Sequence, residues 1–268
     1  TPKPSSAASD VYKRQVLQAE KNREVYVIDT GGSLSFPKEN WQERKRQAAA
    51  ESTLIPFLKG EGVSKITGLF LTHGDTDHMG DALALMKAIP VETLYLVPGS
   101  EQDHRIAKLL NELPKQTSVV WTTVGQVVGD FLQLQVLAPE SGAGQNEDSL
   151  VIKTKVGDKT FLFTGDLEQA GEKKLIHDYP NLKVDVLKLG HHGSRTSTAP
   201  EFVAAIDPQF GIVSSGRNNR YGHPHEEVLE TLVNQTVLRT DQQGMIQFIW
   251  SEKQQSFLIK TLLDYPID

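Results

Sequence analysis

Short apolar runs alternate with longer amphipathic stretches along most of this chain, and the alternation predicts strands and helices in turn. Residues 25–28 form an unbroken apolar run that ends in Asp29-Thr30-Gly31-Gly32, as a buried strand entering a turn does. Over 40–59, Ala48, Leu54, Ile55 and Leu58 recur at spacings that share one helical face. A second buried strand, 66–71, runs straight into Thr72-His73-Gly74-Asp75-Thr76-Asp77-His78-Met79-Gly80, and 81–89 reads as a helix. The scheme continues with a strand at 93–97, a helix at 101–113 and β-rich stretches at 118–138 and 150–163. Helices at 167–177, 200–206 and 225–233 then alternate with strands at 184–189 and 210–213, and strands at 245–250 and 256–261 close the pattern. No linker, repeat or low-complexity segment interrupts it, so residues 16–268 are expected to be one domain. Residues 1–15 carry neither period and are expected to be a disordered or artefactual segment.

Composition narrows the chemistry. With 38% hydrophobic residues and no apolar run near the roughly 18 residues of a membrane span, the chain is expected to be soluble. The absence of cysteine excludes disulfides, thiolate metal sites and a thiol nucleophile. Any metal is therefore held by nitrogen and oxygen. A formal charge of -6 gives no overall basic field for nucleic acid, which would need a local patch.

The segment His73-x-Asp75-x-Asp77-His78 places four ligand-type side chains within six residues, just past a strand end, with Gly74 and Gly80 permitting tight turns. Such density suits two divalent ions, because side chains two apart in an extended loop point the same way. His73 and Asp75 then serve one ion and Asp77 and His78 a second. An oxygen-rich set of this kind suits zinc, iron and especially manganese. Asp166, in Thr164-Gly165-Asp166, follows another apolar strand and serves either as a ligand or as the cap of the helix expected from Leu167. Leu189-Gly190-His191-His192-Gly193-Ser194 offers a histidine pair at a third strand end, and Tyr221-Gly222-His223-Pro224-His225 offers two more, the second also suited to a helix cap. His104 and His177, on helices, read as surface residues. Lys188, Arg195, Arg217, Arg220 and Arg239 lie in or beside these loops, where phosphate contacts belong and where a scattered solvated set fits equally well. Asn218, Asn219 and Tyr221 add groups suited to single strands.

Together with Val27-Ile28-Asp29-Thr30-Gly31-Gly32 and Leu187 to Ser194, these motifs resemble the metallo-β-lactamase superfamily. With the 218–225 segment and Arg239-Thr240-Asp241, the chain more narrowly resembles the C-terminal domains of ComEC-type DNA-uptake competence proteins, and Trp41 to Arg46 resembles their low-GC Gram-positive versions. The resemblance implies an α+β fold, an αββα sandwich of two mixed sheets flanked by helices, with the site at one edge. It implies a metal-dependent hydrolase, in this case a nuclease, using one or two divalent cations, manganese or zinc. His73, Asp75, Asp77, His78, Asp166 and His191 would be ligands, with His192 the alternative to His191. Asp77 would double as base, and Asp29 would steady a ligand histidine or cap its own turn. His223 would protonate the leaving oxygen or hold a phosphate oxygen. Lys188, Ser194, Arg195, Asn218, Arg220, Tyr221 and His225 would meet substrate.

Three departures stand out. The family's usual His-x-His-x-Asp-His has Asp75 at its second histidine, and the separate histidine expected before Gly165 is missing, with Asn146, Asp148 and Ser149 in that region. The family's first strand and its Gly-Gln-Gly-Asp-like turn are also absent, so one edge of the first sheet is expected to be damaged. The implied partners are DNA, single-stranded, and the membrane channel of a longer parent protein. The site would lie at the extracellular face of the cell membrane, where the non-imported strand is degraded. Two other readings stay open: a hydrolase of another ester such as a phosphorylcholine ester, with Tyr221, Phe36 and Trp41 as available aromatics, and a DNA-binding module with a weak or dead metal site.

Overall fold

The apolar runs of the first half assemble as a parallel sheet. The structure, a computed structural model, describes residues 14–32 and 48–263, so the expectations for 1–13, Phe36, Trp41 and the 41–46 stretch lie outside the described residues. Strands β1 (Gln15–Gln18), β2 (Val25–Ile28), β3 (Ile66–Phe70), β4 (Val91–Leu96) and β5 (Ser118–Trp121) lie in that order. β1 is antiparallel to β2 and the rest are parallel. The sheet edge expected to be damaged therefore carries a strand, and it begins at Gln15, one residue before the expected start of the fold. Its apolar partners are Val16 and Leu17, which the period-2 pattern left too short to read.

The described residues group into two compact units, with the boundary between Ile152 and Lys153. In the first, helices α1 (Ala49–Ser52), α2 (Leu54–Gly60), α3 (Thr76–Met79), α4 (Ala82–Ala88) and α5 (His104–Asn111) accompany the sheet, and a short pair, β6 (Val127–Val128) with β7 (Leu134–Ala138), follows. The expected 40–59 helix is broken at Thr53 (φ -133, ψ -72). Pro56 has no N–H to give the Ser52 carbonyl, so the helix restarts rather than continues. Leu54 and Leu58 from α2, Leu69 and Leu71, Leu85 from α4 and Ile106 from α5 form the fully or nearly buried core.

In the second unit the order is β12 (Thr236–Arg239), β11 (Phe210–Val213), β10 (Val186–Lys188), β9 (Lys159–Phe163) and β8 (Val151–Val156), and β9 through β12 are parallel. Helices α6 (Gln169–Asp178), α7 (Pro200–Ile206), α8 (Glu226–Thr231) and α9 (Thr240–Gln243) connect them, and an antiparallel hairpin, β13 (Ile246–Ser251) with β14 (Ser256–Thr261), packs Phe248 and Phe257 against Phe161. Among the described residues no helix is long and apolar enough to cross a membrane.

One buried carboxylate ties this unit together. Glu172 of α6 accepts from the Thr198 amide at 2.6 Å and the Ala199 amide at 2.8 Å. Burial pushes its carboxyl up to about 7, against the pull of those amides. A raised carboxyl favours folding fully below its ordinary value and loses that contribution as pH climbs through the folded one. Between pH 5 and 8 the unfolding free energy is thus expected to fall by about 2 to 3 kcal/mol more in the parent than in Glu172→Gln. Denaturant titrations across that range test this, and parallel profiles would remove Glu172 as the source.

Candidate metal centre

In the first unit the parallel neighbours β2 and β3 end side by side, with Ile28 opposite Phe70, which delivers Asp29 and the Thr72–His78 loop to one edge. Asp29 adopts a left-handed conformation (φ 59) that Asp tolerates better than most residues. Its carboxylate does not cap its own turn. Oδ1 accepts from the Thr72 amide at 2.8 Å, and Oδ2 accepts from the Thr72 hydroxyl at 2.8 Å and lies 2.6 Å from His78 Nδ1. The Thr72 hydroxyl proton is thereby committed to Asp29, so its oxygen is the acceptor for His73 Nδ1 at 3.0 Å. Ser149 Oγ lies 3.3 Å from the same nitrogen. Both histidines consequently carry their proton on Nδ1 and keep the Nε2 lone pair for something else. For His73 that nitrogen is buried and has no hydrogen-bond partner among the described residues.

Asp75 Oδ2 stands 3.8 Å from it. The other Asp75 oxygen pairs with Arg105 Nη1 at 2.9 Å. Asp77 sits half-buried in the first turn of α3, one residue before the buried His78.

In the second unit the ends of three adjacent parallel strands converge. Asp166 follows β9, the histidine pair follows β10 and Ser214 follows β11. His192 is buried, with Nε2 at 2.9 Å from one Asp166 oxygen and 3.1 Å from the other, and its Nδ1 donates to the Ser214 carbonyl at 2.9 Å. His191 is more exposed, 3.8 Å from Asp166, with Nδ1 at 3.1 Å from Thr196 Oγ1. Both occupy left-handed backbone (φ 43 and 59), a costly conformation typical of functional loops. Helix α6 begins only at Gln169 with Glu168 at its cap, so the capping alternative for Asp166 falls.

His223 stacks beside Tyr221, ring centroids 5.7 Å apart, and meets His191 at 5.9 Å and His225 at 4.9 Å. Asn219 grips its backbone from both sides, accepting from His223 N and donating to His223 O. His225 Nδ1 accepts from the Arg195 amide. Arg195, Asn218, Arg220 and Tyr221 are exposed, whereas Ser194 is buried and the Lys188 ammonium donates to the Leu189 carbonyl from a buried position. Arg239 is paired with Asp241. His104 and His177 are exposed, as expected.

Thr72, Asp103, Arg105 and Ser214 escaped the sequence reading. Thr72 adjoins the ligand-type motif and could have been flagged there. Nothing local marks Arg105, which lies 30 positions from Asp75.

A buried imidazole lone pair that meets no donor is costly unless a cation or water satisfies it, and a carboxylate within 4 Å suits the cation better. The donor set around His73 therefore fits a divalent metal ion, with Asp75 and His78 beside it. Asp166 and His192 bring two further ligand-type side chains together in the second unit.

Comparison with known proteins agrees with this reading. The pattern described as Metallo-beta-lactamase superfamily matches residues 16–217. The chain is 40% identical over 243 residues to ComE operon protein 3 of Bacillus subtilis, covering 87% of this chain and 31% of that protein. It is 34% identical over 206 residues to competence protein ComA of Neisseria gonorrhoeae, covering 75% and 28%. The chain thus spans about a third or less of the length of these relatives. The metallo-beta-lactamase fold protein YhfI of Bacillus subtilis superposes with a TM-score of 0.57 at 14% identity, over 87% of this chain and 90% of that one. At that identity the likeness is one of fold.

Proposed function

The chain belongs to the metallo-beta-lactamase superfamily, and from that premise we propose that it is a metal-dependent phosphodiesterase that cleaves single-stranded DNA. The observation that carries the metal requirement is the buried, unpartnered His73 Nε2. His73, Asp75, Asp77 and His78 in the first unit, and Asp166 with His192 or His191 in the second, supply ligand atoms for one or two divalent cations, manganese or zinc. Bound there, such a cation supplies Lewis-acid activation of water and neutralises charge developing on phosphate. Asp77 takes the proton of the attacking water. His223, its backbone fixed by Asn219, gives a proton to the leaving oxygen. The exposed Arg195 and Arg220 meet phosphates.

The nucleic-acid substrate rests on the competence relatives, with the site acting on the non-imported strand at the extracellular face of a membrane, beside a channel built by the rest of a longer protein. A phosphorylcholine ester fits less well. Its recognition needs an open aromatic face, and Arg220 lies over Tyr221 with its guanidinium carbon 4.9 Å from the ring centroid.

Fluorescent single- and double-stranded DNA, offered after chelation with manganese, zinc or magnesium added back, tests the proposal. Metal-restored cleavage that favours single strands is expected. Faster turnover of a choline phosphodiester than of DNA would replace the nuclease reading, and tight DNA binding without cleavage would favour an accessory module.

A further inference from the structure

Asp75 stands at the N-cap of α3, where an Asp side chain ordinarily accepts from the amides of the first turn, yet its carboxylate makes no capping bond. It is turned away instead, with one oxygen on Arg105 and the other facing His73 Nε2. Arg105 is itself clamped. Its Nε and Nη2 donate to the two oxygens of Asp103 at 3.1 and 2.7 Å, which leaves Nη1 alone to reach Asp75. Asp103 is in turn fixed by accepting from the Arg105 and Ile106 amides at the start of α5. The metal-loop backbone rests directly on it, since a Cβ at Gly74 would come within 2.7 Å of the Asp103 carboxyl carbon.

We propose that the Asp103–Arg105 pair is a positioning device that aims Asp75 Oδ2 at the ion held by His73. It takes over the part that a stiffer imidazole would play at position 75. The inference rests on the metal-binding reading above. The donor atoms concerned, 3.8 Å apart, can both reach one first-row ion at about 2.1 Å each. Holding Oδ1 on a guanidinium also restricts Asp75 to one ligating oxygen. Each of the three Arg105 nitrogens already has a carboxylate partner within the protein, so it orients a ligand rather than serving as a phosphate clamp. The pair is formally neutral, so orientation rather than net charge is what it contributes.

Manganese titration of the metal-free protein by calorimetry separates these roles, with unfolding temperature followed in parallel. Arg105→Lys keeps the charge and loses the planar fork. Its affinity for the tightest-bound ion is expected to fall about tenfold, from loss of a preorganised ligand. Asp103→Asn, which retains a good helix cap and loses the charged clamp, is expected to show the same direction. In an Asp75→Ala background Arg105→Lys should add nothing further. Manganese affinity within twofold of the parent in Arg105→Lys, or an undiminished effect in the Asp75→Ala background, overturns the inference while leaving the metal reading intact. A parent that binds no divalent cation overturns both.

Discussion

Asp29→Asn is expected to weaken divalent-cation binding by about 10- to 100-fold, with hydrolysis falling in step and the protein still folded. The amide is nearly isosteric, and its oxygen can still accept from the Thr72 amide. Its NH2 group, however, now faces the two atoms that Oδ2 served, the Thr72 hydroxyl and His78 Nδ1. It can only donate there, so His78 must shift its proton to Nε2, which removes the lone pair a metal needs. The Thr72 hydroxyl also loses its acceptor. It becomes free to donate to His73 Nδ1, so the same substitution unsettles the tautomer of the second histidine. Manganese titration together with histidine nitrogen NMR checks both halves. Unchanged affinity and an unchanged His78 tautomer would show that Asp29 only shapes the turn.

Phe70→Ala is expected to cost about 3–5 kcal/mol of unfolding free energy, the range for emptying a filled aromatic site. Phe70 is fully buried at the end of β3, stacked on Tyr95 at 4.4 Å with a 14° interplanar angle, and tilted against Tyr26 at 6.0 Å. On the same strand face two residues earlier lies Gly68, where a Cβ would meet both tyrosine rings within 3 Å. No neighbouring side chain at 68 can swell into the gap, so the cavity stays largely open. Phe70→Leu should recover more than half of the loss. Guanidinium unfolding measures both, and a cost below about 1 kcal/mol for the alanine variant would mean that the site collapses.

The two variants differ in how far their basis could be read from the chain alone. The strand at 210–213, the helix at 200–206 and the strand at 256–261 have the expected limits, because each is bounded by Gly, Pro, Asn, Asp or a change of period. The helix expected from Leu167 starts two residues later. The Gln169 amide is drawn to the Thr196 carbonyl, a partner 27 positions away that no local window contains. Asp29 was visible as a residue with two possible roles, and only the parallel register of β2 and β3 turns it from its own turn toward Thr72 and His78.

The sequence by itself determined which strands end in ligand-type side chains, that nitrogen and oxygen are the ligands on offer, and the family, since all of these depend on residue type and short-range spacing. Tertiary structure decided the rest: the tautomers set through Thr72, the pairing of His192 with Asp166, and the grip of Arg105 on Asp75. Hydrogen bonds of that kind join residues dozens of positions apart, and their geometry follows from strand register and helix packing, to which local hydrophobic periodicity is blind.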